Sequence, residues 1–240
     1  MKRMLVPVFF GLLAAAVSSG QEPSVLSIVS CSPGEASFSF EQSGVGIFTQ
    51  TLIEALQGGA DANRNSVVTI GELADYLRRS MRARTADFQN PSFTFKGQLS
   101  EFGFFSSMQR RTSIILCGIQ DYQHLSGTGM GRADVDALSL SFKKALPNAT
   151  IRTMVDQEAR RPALMALLEQ EIRSLEAGDY LIFYFSGEAS EDRLLMNDSR
   201  LADSATTGIH VDELAALFAS SRAHVCAFYE VQQHVSVPAY

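Results

Sequence analysis

The chain has 240 residues, 46% of them hydrophobic and 19% charged, a balance that excludes a disordered or collagen-like chain and allows one sizeable core. Twenty basic residues against 26 acidic ones leave a net charge of −6, so no nucleic-acid partner held by counterion release is expected. Three widely separated cysteines, Cys31, Cys117 and Cys226, form neither a disulfide framework nor a zinc set.

Residues 1–20 read as a secretory signal: Lys2 and Arg3 give a positive start, Met4 to Val17 is apolar, and Ser18-Ser19-Gly20 offers small residues for cleavage. The apolar run is too short to span a bilayer comfortably, so no stable membrane span is expected, and the mature domain is expected to be exported, periplasmic or extracellular. The competing reading makes this run a buried N-terminal strand or helix.

A first block, residues 21–98, opens with the strand pattern Val25 to Val29 and a Ser32-Pro33-Gly34 turn. Apolar residues at Phe48, Leu52, Ala55 and Leu56 predict a helix that stops at Gly58-Gly59. Ile70, Leu73, Ala74, Leu77 and Met81 predict a second helix, and Ser92 to Phe95, after Pro91, a short edge strand. Between the two helices, Asp61, Asn63, Asn65, Thr69 and Glu72 follow the spacing of an EF-hand loop at positions 1, 3, 5, 9 and 12. Ser66 stands where such a loop wants glycine, and only Asp61 and Glu72 carry charge, so this is a weak Ca²⁺ candidate. The competing reading is a capping box between Thr69 and Glu72 with turn-forming Asp and Asn before it. No other cofactor is expected.

Residues 99–111, rich in phenylalanine, read as a docked linker. The second block, residues 112–240, contains three runs apolar on both faces, Ile114 to Cys117, Tyr180 to Phe185 and Val225 to Tyr229, as central parallel strands should be. Helical patterns lie between them at Val135, Leu138 and Phe142, at Leu164, Leu168, Ile172 and Leu175, and at Val211, Leu214 and Phe218. Strand and helix in alternation predict an α/β fold with a doubly wound, mostly parallel sheet and helices on both faces. His124, His210, His224 and His234 show no metal-ligand spacing and read as solvated or locally hydrogen-bonded.

Several stretches of the second block resemble the large-subunit portion of the caspase-like cysteine peptidases, which include bacterial caspase homologues and metacaspases. They are the strand and turn Ser113 to Tyr122, the helix start at Asp134 with Ala137-Leu138, and the strand Gly178 to Gly187. The first block resembles the small-subunit portion through Val29 to Glu35, Gly46 to Leu56 and Ala60 to Leu73. The blocks stand in reverse order. That implies a circular permutation in which both form one domain, a break between tandem modules, or sheet completion by a second chain, including a homodimer.

The resemblance implies a histidine after Ser-Gly and a cysteine at the end of the last strand, both at the carboxyl edge where a doubly wound sheet presents its cleft. Here Ser186-Gly187 is followed by Glu188, and the nucleophile position falls on Gln232, with the family's acidic position at Glu230. An amide cannot be that nucleophile. Cys226 is the nearest thiol, a weak stand-in that reads better as core packing. Glu188 and Glu191 read as solvated charge in a loop. The function expected is an exported, catalytically inactive pseudopeptidase binding a protein or peptide partner; the alternative is an active caspase-like cysteine endopeptidase.

Overall fold

The computed structural model describes residues 23–32, 34–40, 44–65, 68–96, 103–104, 111–127 and 129–233. The proposed signal, most of the linker and His234 lie outside them. The main sheet is built from β1 (Val25–Val29), β3 (Ser92–Lys96), β5 (Thr112–Gly118), β6 (Thr150–Val155), β7 (Tyr180–Ser190) and β10 (His224–Gln233), in the order β3-β1-β10-β7-β5-β6. All neighbours are parallel except the pair β1 and β3. Two short strands, β8 (Arg193–Leu194) and β9 (Ile209–His210), extend β7 as an antiparallel meander. A separate two-stranded ribbon pairs β2 (Val68–Thr69) with β4 (Gly103–Phe104).

Side chains alternate across each strand, and helices seal both faces. On the first face, Leu26, Ile28, Ile114, Leu116, Ile182 and Phe228 pack against α1 (Ile47–Glu54), α2 (Ile70–Thr85) and α3 (Gly131–Ala145). On the second, Ile115, Phe183, Phe185, Val225 and Ala227 meet α4 (Arg161–Ser174) and α6 (Val211–Ala219). Each fully buried Leu, Ile or Phe contributes about 1.5–3 kcal/mol, so the two apolar layers hold the molecule together. A one-turn helix, α5 (Ser204–Thr207), precedes β9.

Local chemistry explains the helix ends. A π-type turn, Ala55–Gly59, closes α1, with Gly58 at φ 101°, a conformation an L side chain resists. Thr69 and Glu72 form a reciprocal capping box that starts α2, and Pro162 in the first turn of α4 occupies a position where its missing N–H costs nothing.

Two features differ from the sequence reading. Strand β6, Thr-Ile-Arg-Thr-Met-Val, has a largely exposed, polar edge pattern and so lacked an apolar signature. Strands β7 and β10 each run past the apolar core segment, and the extra residues include Glu188 and Gln232. The connection from β5 runs through α3 on the first face and that from β7 through α6 on the second, so the winding reverses between these adjacent strands. Their carboxyl ends therefore flank the crevice expected of an open α/β sheet.

Candidate functional site

At the carboxyl edge, Glu188 of β7 stands directly opposite Gln232 of β10, and Glu230 opposite Ser186. Glu188 is 5% exposed, so the reading of a solvated loop carboxylate is corrected: strand pairing continues to Ala189 and draws it inward. Glu191, in the tight turn to β8, is the exposed one of the two. The hydroxyl of Tyr122 accepts from the Glu188 amide at 2.7 Å and donates to the Leu195 carbonyl at 3.2 Å, closing the crevice between β5 and β7. It fits because Gly187 has no side chain: a Cβ there would lie 2.5 Å from that hydroxyl.

Beneath this tip the first face buries a polar row. Asp134, in the first turn of α3, accepts from the Gly46 amide at 2.7 Å, from Ser186 at 2.8 Å and from the Tyr184 hydroxyl at 3.0 Å. Thr49 of α1 shares a 2.6 Å hydrogen bond with the same Tyr184 hydroxyl. On the other flank, Ser30 and Ser37 share a hydrogen bond of 2.8 Å, and Gln89 donates to the Ser30 carbonyl and the Ser37 hydroxyl. Between these sets lies Glu230, 1% exposed, with no hydrogen bond closed on either carboxylate oxygen among the described residues.

The electrostatics follow from that isolation. Burial, and then the field of Asp134, push Glu230 up to about 8, against weaker help from Ser37, Ser30 and the Thr49 amide. Burial likewise lifts Asp134 to about 6, although its hydrogen bonds work the other way. Tyr184, buried beside both carboxyls, is held well above its usual range and stays a donor.

The thiols are poor nucleophiles here. Cys226 lies inside β10, fully buried, and desolvation raises it well above an ordinary thiol. Cys117 is raised to about 12 by burial. Cys31, at the carboxyl end of β1, donates weakly to the Val231 carbonyl at 3.7 Å, and burial with the nearby Glu230 brings it to about 11. Cys31 lies nearer the Gln232 tip than Cys226 does, a proximity that only the pairing of β1 with β10 creates and that the sequence does not show.

In the loop before α2, Asp61 and Asn63 both accept from the Asn65 amide, as turn formers do. Glu72 spends one oxygen on Thr69 and turns the other toward the Asn63 amide. Among the described residues, no group of three or more His, Cys, Asp or Glu is arranged to hold a metal ion, and no helix is long and apolar enough to cross a membrane. Of the two readings offered for His224, solvation is excluded: it is 3% exposed and packs against Tyr180 with ring centres 5.3 Å apart. His210 caps α6, accepting from the Asp212 amide and pairing with Asp192 at 2.7 Å, while His124 is exposed.

No family model and no curated protein matches the chain. Among solved structures, protein GSU0716 from Geobacter sulfurreducens aligns at 15% identity with a TM-score of 0.39. The alignment covers 50% of each chain, so the chain matches about half the length of that structure.

Proposed function

We propose that this chain is an exported domain of the caspase-like type that has lost peptide cleavage and works by binding a protein or peptide. The observation that carries the reading is the register of β7 and β10, in which Glu188 faces Gln232 at the carboxyl edge. Those are the two positions that the resemblance assigns to histidine and cysteine. A carboxylate and an amide side by side can hydrogen-bond a ligand, but neither supplies the thiolate that attacks a scissile carbonyl.

The permuted arrangement is supported by β1, which seats itself parallel to β10 and carries β3 outside it. The first block thereby supplies the strands next to the nucleophile position, and the edge of β10 that would have invited a second chain is already paired.

The test is covalent labelling with thiol-reactive peptide probes bearing acidic or basic P1 residues, with and without Ca²⁺. No labelling of the native chain is expected. Labelling abolished by Cys226→Ala or Cys31→Ala would favour an active cysteine endopeptidase and overturn the reading. The double variant Glu188→His with Gln232→Cys is expected to gain labelling; a folded double variant that stays inert would count against the assigned positions.

A further inference from the structure

The buried carboxyl pair at the start of α1 is independent of any resemblance to peptidases. A Cβ on Gly46 would lie 2.9 Å from Glu230 Oε2 and 3.4 Å from Asp134 Oδ2, so both carboxyls close on the same point of the backbone. The Gly46 amide is spent on Asp134, and among the described residues no hydrogen bond is closed on either carboxylate oxygen of Glu230, with only Ser30, Ser37 and the Thr49 amide giving weaker help. The groups around the pair come from every packed element: Tyr184 and Ser186 from β7, Thr49 from α1, Ser30 and Cys31 after β1, and Ser37 beyond them. None of these is a cation.

We propose that Asp134 and Glu230 form a proton-holding latch that docks the start of α1 onto α3 and β10, and that loss of the latch proton releases it. With a proton on Glu230, only one anion faces Gly46, and that anion is fully hydrogen-bonded. When Glu230 ionises, two buried anions face each other with no counter-charge among the described residues, which a low-dielectric interior does not tolerate. Strands β10 and β7 are fixed at the centre of the sheet. The relief therefore falls on the segment that carries Gly46, and water reaches the carboxyl edge of β10 and β1.

The sign is that of a raised carboxyl. The stabilisation is fully present below the ordinary glutamate value of 4.5 and is lost as pH rises toward about 8. Across that window the folding equilibrium constant falls by about tenfold per pH unit for one retained proton. Above it the native chain itself ionises, and the latch opens locally.

Two measurements on the full chain test this. In denaturant titrations the wild type is expected to lose stability from about pH 4.5 to about pH 8, whereas Glu230→Gln, once Asp134 has ionised near pH 6, is expected to be flat from about pH 6 to about pH 8. Equal slopes in the two proteins would overturn the latch. Hydrogen exchange at the Gly46 and Ile47 amides, corrected for intrinsic base catalysis, is expected to quicken more than tenfold above about pH 8 in the wild type alone. Exchange that tracks the middle of α2 would overturn the local release.

Should Glu230→Gln fail to fold, infrared spectroscopy of the wild type decides the matter. A protonated-carboxyl band is expected at neutral pH and is expected to vanish at higher pH. Asp134→Asn should move that loss to lower pH by removing the like charge. Absence of the band at neutral pH, or an unmoved titration, would overturn the pairing.

Discussion

Glu171 and Glu230 are equally buried glutamates on opposite faces of one sheet, and they are treated in opposite ways. Glu171, on α4, accepts from the Ser113 hydroxyl at 2.9 Å and pairs with Arg152 at 2.8 Å and Arg111 at 3.5 Å. The arginines reach it from near the amino ends of β5 and β6, keeping their own heads about half exposed. Glu230, at the carboxyl edge of β10, has among the described residues no cation beside it and no hydrogen bond closed on its carboxylate oxygens. A buried ion with matched partners anchors a helix; a buried carboxyl without them is a burden on stability. The burden falls on the carboxyl edge, the end at which a doubly wound sheet presents its crevice.

The harshest way to break the contrast is to unseat the helix that brings Asp134 to Glu230. Gly118 ends β5 where α3 crosses it, and a Cβ there would lie 2.1 Å from the Gly131 carbonyl oxygen and 2.6 Å from Val135 Cγ2. Neither the backbone of α3 nor its buried Val135 can yield so far. Gly118→Ala is expected to cost about 3 kcal/mol by overpacking, measured by chemical denaturation. A loss below about 1 kcal/mol would mean that α3 has slack against the sheet, and that the distance from Asp134 to Glu230 is not fixed.

The direct comparison comes next in size. Glu171→Gln keeps the shape but loses the charge that two guanidiniums and a hydroxyl are arranged to meet, and is expected to cost about 2 kcal/mol at neutral pH. Glu230→Gln at the same pH is expected to be neutral or stabilising, since it replaces a carboxyl that interacts unfavourably with its surroundings. Of two conservative changes at equally buried glutamates, only the one at Glu171 should thus destabilise; a comparable loss from both in thermal or denaturant unfolding would erase the distinction.

How much of this could be read from the sequence depends on how local its causes are. Strands β5, β7 and β10 announce themselves because a strand covered on both faces must be apolar throughout. The α2 capping box was visible because Thr69 and Glu72 are three residues apart. Strand β6 was hidden because edge strands tolerate Thr and Arg. Glu188 reads as a loop residue because polar residues at a strand tip look like a loop until the register with Gln232 is known. Glu230 was marked only as an acidic position. Its isolation depends on Ser30, Gly46, Asp134 and Ser186, contributed by four separate segments, and pattern reading along a chain does not sense that convergence.

The smallest effect concerns how the two carboxyls divide their support. Tyr184 donates to Asp134 and shares a hydrogen bond with Thr49, so Tyr184→Phe leaves Asp134 with Gly46 and Ser186 and leaves Thr49 without that contact. The loss is expected to be about 1 kcal/mol, the usual net worth of one buried hydrogen bond. With fewer donors holding its anion, Asp134 should take the latch proton more readily, and the stability lost as pH rises should shift to a higher range. A variant destabilised by the same amount at every pH would show that Tyr184 only fills space. A pH-dependent loss would place its hydroxyl inside the proton-sharing network and make the polar row of the first face one titrating unit.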